Sequence, residues 1–251
     1  MRRWLRWLGV AALVPVALAG MLGTVLANPE PFFAYHTERG RLALYSDRPF
    51  DAAKAQAILA AVEARLKTSP LYTDDANAIF VSNSDWRQRL FMNQAYGAGG
   101  VNFFPVTRNV FLRNANIDRD QLIRPNGMPA EAPRTLTYYA AHEIGHSLTG
   151  ARLGVTHLWN WRLPQWVREG YADCVGLGGD VDVAALYARY RNGDPKFDFK
   201  RTGQYTLFRL LAAYFIQREH WSVDRLLTSG MSEADAVARM NTGLGRKPSP
   251  I

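Results

Sequence analysis

The string His142-Glu143-Ile144-Gly145-His146 constrains this chain more than any other feature. At 3.6 residues per turn, positions four apart lie about 40° apart around a helix, so both imidazoles leave one face. Two neutral imidazoles so placed can bind one Zn²⁺ from the same side. Glu143, beside the first histidine, can reach a water on such a cation without itself being a ligand. The bland alternative is a helix with two surface histidines and an ordinary surface glutamate.

A catalytic zinc site needs a third protein ligand and an open position. Downstream runs Leu163-Pro164-Gln165-Trp166-Val167-Arg168-Glu169-Gly170-Tyr171-Ala172-Asp173. The interval from His146 to Glu169 is long enough to finish one helix, turn, and start a second facing the first. Pro164 suits the first turn of that second helix, where its missing N–H costs nothing. Glu169 and Asp173 are again four apart and share a face. If Glu169 is the third ligand, Asp173 sits one turn on, placed to accept a hydrogen bond from the far nitrogen of His142 or His146. His157 is a rival third ligand, without such a helical partner residue.

The H-E-x-x-H string followed by W-x-x-E-G-x-A-[DE], here Trp166 to Asp173, resembles the gluzincin branch of the zincin metallopeptidases, in particular the bacterial peptidase MA-like group. The resemblance is specific over residues 135–176 and weaker over 205–227. It implies His142, His146 and Glu169 as zinc ligands, Glu143 as general base and Asp173 as the partner of a ligand histidine. It implies hydrolysis of a peptide or protein substrate, and an edge strand beside the active helix that pairs with extended substrate. The metzincin branch requires a histidine where this chain has Arg152, and is excluded. Gly97 to Asn102 faintly resembles the exopeptidase loop of zinc aminopeptidases but lacks the glutamate that binds a free amine. Tyr205 and His220 are candidate donors to the oxyanion. Two other readings stand beside this one: a binding protein with a structural or degenerate zinc site, and a zinc hydrolase of a non-peptide bond.

The chain opens Met1-Arg2-Arg3-Trp4-Leu5-Arg6 and then carries no charge as far as Asn28. A basic start and an apolar run read as an export signal, with a small residue, Ala27, at a cleavage position. The run is about 21 residues, long enough to span a bilayer, so residues 1–27 are expected to be a signal peptide or an N-terminal membrane anchor, with the uncleaved single-pass anchor favoured. That places the remainder on the outer side of the cell envelope. The formal net charge of +8 reads first as a generally basic surface and second as a preference for anionic surfaces or acidic partners, and no nucleic-acid motif accompanies it. A single cysteine, Cys174, excludes an internal disulfide and is expected to be a packed thiol.

Strands are expected at 41–46, 78–81, 101–104 and 109–112, and helices at 51–67 (N-capped by Asp51) and 84–92 (capped by Ser84). Pro105 between the third and fourth strands suits an edge or a bulge, not a central strand, and the pair is either the substrate-binding edge or simply a hairpin in the sheet. Residues 114–133, with Pro125, Gly127, Pro129 and Pro133, read as a surface loop. Helices follow at 134–150, from 164, and at 181–190, 205–218, 222–227 and 232–240. Trp159 and Trp161 are expected to pack under the connecting loop. Strands first and helices only afterwards is an α+β pattern: a zincin-like small mixed sheet with an active-site helix over 28–243, a helical C-terminal lobe, and a loose tail at 244–251.

Overall fold

The computed structural model describes residues 2–154 and 163–245, with side chains from residue 15 onward. It is a mixed α+β structure. Helix α1 (Arg2–Ala27) leads into β1 (Tyr35–Arg39), β2 (Leu42–Ser46), α2 (Ala52–Leu66), β3 (Asn77–Val81), α3 (Asp85–Met92), β4 (Gly100–Asn102) and β5 (Val110–Leu112). The sheet order is β1-β2-β3-β5-β4. The inner three strands are parallel, and β1 and β4 are the antiparallel edges. The parallel step from β2 to β3 needs a crossover, which α2 supplies. Asp51 caps that helix, accepting from the backbone N–H of Ala53 at 2.8 Å and Lys54 at 3.1 Å. Ser84 stands at the start of α3 but makes no cap; its hydroxyl donates to Asp47 instead.

Strand alternation gives the sheet two unlike faces. Leu44, Ile79 and Val110 are in register and belong, with Val81 and Leu112, to the main aliphatic core. One residue on, Tyr45, Phe80 and Phe111 form an aromatic ladder, with ring centroids 4.7 and 5.5 Å apart. The aliphatic face is covered by α2 and by α4 (Leu136–Leu153). The aromatic face is closed by Phe33, Phe91 and the last turns of α1.

That last contact corrects the expected membrane anchor. Among the described residues no helix is long and apolar enough to cross a membrane. Leu22, Val25 and Leu26 lie against the aromatic cluster, not free for lipid, and Asn109 donates to the Leu26 carbonyl at 3.0 Å. The cell-envelope location inferred from an anchor goes with it. A second correction concerns residues 114–133. They hold a small two-stranded sheet, β6 (Ala115–Asn116) and β7 (Gln121–Leu122). Ile117 and Leu122 are buried, and Asp120 accepts from the Thr137 N–H at 2.7 Å. Two apolar anchors and one carboxylate thus fix the start of α4.

The rest is helical: α5 (Gln165–Gly176), α6 (Val183–Arg191), α7 (Phe199–Thr202), α8 (Thr206–Ala213) continuing as a π turn to Arg218, α9 (Val223–Thr228) and α10 (Glu233–Gly245). Helix α10 runs through 244 and 245, where a loose tail was expected to start; residues 246–251, like His157, Trp159 and Trp161, lie outside the described residues. Helix α5 is held between α4 and α8. Trp166 is buried and donates to the Met231 carbonyl at 2.8 Å. Gly170 lies directly on the Phe208 carbonyl of α8, where a Cβ would collide with backbone. Gly170→Ala is therefore expected to lower stability by about 1–3 kcal/mol, the usual cost of overpacking. An unchanged urea midpoint would refute this close approach.

Candidate metal centre

Helix α4 is buried almost all round. Thr135 accepts from the Tyr138 N–H at its start, and Gly154, at φ 67°, ends it. His142 and His146 leave its one face together, and α5 brings Glu169 against them. His142 Nε2 lies 3.4 Å and His146 Nε2 3.6 Å from the same Glu169 oxygen, Oε2. One ligand atom from each of the three falls within 4.8 Å of the others. Two ligands on a tetrahedral cation at ~2.0–2.1 Å sit about 3.4 Å apart. The spacing and the two-imidazole, one-carboxylate donor set therefore fit a zinc-sized ion with a position left open.

A buried carboxylate needs compensation. Burial opposes the charge on Glu169. The charge of His146 and hydrogen bonds from both imidazoles outweigh it and hold the carboxyl far below its ordinary range. Arg168 fixes the other oxygen, its Nε donating to Oε1 at 2.9 Å. For His146, burial disfavours the protonated ring, but Glu169 and then Glu143 raise its proton affinity. A cation seeking the same lone pair competes with that proton.

Asp173 is buried one turn past Glu169, as the spacing predicts, but it does not bond a histidine directly. Its Oδ1 is 3.9 Å from His142 Nδ1, too far for a hydrogen bond. The Tyr138 hydroxyl stands between them, donating to Asp173 and lying 3.4 Å from His142 Nδ1. Burial, then the Asp173 charge, pushes the Tyr138 phenol well above its ordinary range, so it keeps its proton and spends it on the carboxylate. Its oxygen is left to accept from Nδ1–H. That tautomer leaves a lone pair on Nε2, the atom facing Glu169. Arg134 closes the set at 3.4 Å from Asp173. Sequence reasoning missed Tyr138, Arg134 and Arg168. Tyr138 carried a readable signal, being four residues before His142 on the same helix face.

Glu143 is buried but outside the ligand trio. Its carboxylate has no hydrogen-bond partner among the described residues. Burial raises its pKa, against the lowering charges of His146 and His142. Gly100 of β4 lies on it: a Cβ there would come 2.8 Å from Glu143 Cγ. Both carboxylates and both histidines line a cleft of about 690 Å³ that runs along β4. Tyr205 lines it too, its ring stacked on His142 at 5.8 Å. His220 does not. It is exposed, at φ 55° beyond the π turn, and its candidacy as an oxyanion donor fails on position. Cys174 is buried with its thiol pushed up to about 12 by burial, as a packed thiol should be. Arg152, at the excluded metzincin position, is tied to Asp224 on the surface.

Compared with known proteins, the chain matches no family model, no curated protein and no solved structure.

Tyr138→Phe removes the hydroxyl between Asp173 and His142 and is expected to weaken Zn²⁺ affinity roughly 10- to 100-fold, as loss of such support does. Competition with a chromophoric chelator measures this. Unchanged affinity would show that Tyr138 does not orient the ligand.

Proposed function

We propose that this chain is a zinc-dependent hydrolase of peptide bonds, with a zincin-like fold and the gluzincin ligand set His142, His146 and Glu169. The observation that carries the reading is Glu143: a buried carboxylate with no hydrogen-bond partner among the described residues, beside a candidate ligand trio of tetrahedral dimensions and open to a cleft. A purely structural zinc site has no use for such a base.

Zn²⁺ in this cage supplies Lewis acidity, polarising a carbonyl and acidifying a water. The chain's own residues do the rest. Glu143 takes a proton from the attacking water as its oxygen bonds to the scissile carbon, then delivers that proton to the departing amine nitrogen. Desolvation, which raises the proton affinity of Glu143, suits it to hold the proton between those events. Arg168 keeps Glu169 turned toward the histidines. Tyr138 and Asp173 hold the ring of His142, and Tyr205 covers its face. Of the two candidate oxyanion donors, Tyr205 is the one that lines the cleft, and we assign it that role.

Strand β4 supports a peptide as substrate. It is an edge strand with a neighbour on one side only, and Gly100, Val101 and Asn102 line the cleft. An extended peptide can add to such an edge through main-chain hydrogen bonds. Asn102 ties the strand to α4, donating to Ser147 at 2.8 Å, which fixes the distance from edge to Glu143.

Glu143→Gln is expected to keep stoichiometric zinc and lose roughly 10²- to 10⁴-fold in peptide cleavage, the range of general-base loss. His146→Ala is expected to lose the metal itself. Metal analysis beside cleavage of a peptide library tests both. Equal cleavage by wild type and Glu143→Gln would refute the assigned base.

A further inference from the structure

We infer that the cleft selects peptide segments bearing carboxylates, seated by Arg168 and Arg134 and continued into a basic pocket alongside. This names the substrate class of the proposed hydrolase and rests on that reading for taking a peptide as the ligand.

Among the described residues lining the cleft, the charged side chains besides Glu143, Glu169 and the histidines are Arg134 and Arg168. Arg168 spends its Nε on Glu169. Among the described residues nothing partners its two terminal nitrogens, and its side chain is 26% exposed. That leaves the outer edge of a planar fork, the geometry that meets a carboxylate with two parallel bonds. Arg134 is held rigid, its guanidinium 5.3 Å from the Tyr138 ring and 5.9 Å from that of Tyr205.

Arg134 also lines a second pocket, of about 130 Å³, with Arg189, Lys196 and Arg209. Of the acids there, Asp173 is fully engaged and Glu131 stands half exposed at the rim, within ion-pair range only. Asp173 takes Tyr138 and Arg134, and Glu131 lies 3.9 Å from both Lys196 and Arg124. Arg189 is tied to Asp194. Arg209 is different: its Nε is buried with no hydrogen-bond partner. That atom is closed to solvent and meets no ligand itself, but the guanidinium it belongs to has no acidic partner among the described residues and favours an anion in the pocket it lines. The cleft and pocket, joined through Arg134, thus form a track of positive charge between low-dielectric walls, where the field on an incoming anion is strengthened.

The test uses the full chain carrying Glu143→Gln and loaded with Zn²⁺, so that the ligand is not consumed. The probes are dansyl-labelled octapeptides of alternating Ala and Glu, and their Gln counterparts, each with free and amidated C-termini. The Glu peptides are expected to bind roughly 10- to 100-fold more tightly, as charge-assisted hydrogen bonds allow, with the advantage shrinking as salt rises. Adding Arg168→Gln should cut the advantage below about threefold, and Arg209→Gln, at a position that does not line the cleft of the candidate ligands, should cut it in part. An advantage that survives amidation assigns it to side-chain carboxylates; one lost on amidation assigns it to the C-terminal carboxylate. Equal affinity for Glu and Gln peptides under both termini, or an acidic preference untouched by either arginine variant, would overturn the proposal. If Arg168→Gln loses zinc, the Arg209→Gln arm decides. Acid-selective binding by a protein that cleaves neither peptide would sink the hydrolase reading and leave this one standing.

Discussion

The carboxylate of Glu169 has been taken out of water, and the surroundings are arranged to make that tolerable. An unpaired buried charge costs several kcal/mol even after relaxation. Here both oxygens are met, one by the two imidazoles and the other by Arg168. The need to meet them sets the crossing of α4 and α5. That crossing in turn requires a glycine at 170, because α8 presses on α5 from its other side. The tyrosine–aspartate pair behind His142 and the wall of the cleft follow from the same packing.

Around that centre the sheet acts as a platform. Its aliphatic face carries α4, and its aromatic ladder seals the other side. Strand β5 is central and buried, so β4 inherits a firm register while keeping a free edge. Asn102 and Ser147 then join edge to helix. Rigid elements on three sides hold a site more accurately than loops could.

The parts legible in the sequence were those in which one short string carries the geometry. The histidine pair needed only helical periodicity, and strands β2, β3 and β5 announced themselves by compact apolar runs. Strand β1 was missed because Tyr35 to Arg39 has no apolar face; it is a largely exposed edge of polar and charged residues. The two-stranded piece at 115–122 hid among proline, glycine and asparagine. Arg134 reaches Asp173 only through tertiary packing, and no spacing rule connects them. The N-terminal apolar run misled because length and hydropathy do not say what covers a helix. In this molecule its last turns are covered by phenylalanines. His220 failed for a related reason, since nothing local in the sequence said that the chain turns it to solvent after a π turn.

The ligand trio straddles a seam. Two of its members stand on the helix that packs on the sheet, and the third belongs to the helix that packs on the C-terminal bundle. On the proposed reading, an ion held by all three would tie those halves together much as a covalent cross-link would, but reversibly. Cooperativity between the halves would then be linked by mass action to the free ion concentration, amounting to about 2.7 kcal/mol of apparent stability at a hundredfold excess over the dissociation constant. Chelation would then loosen the joint between sheet and bundle as well as stop the proposed hydrolysis.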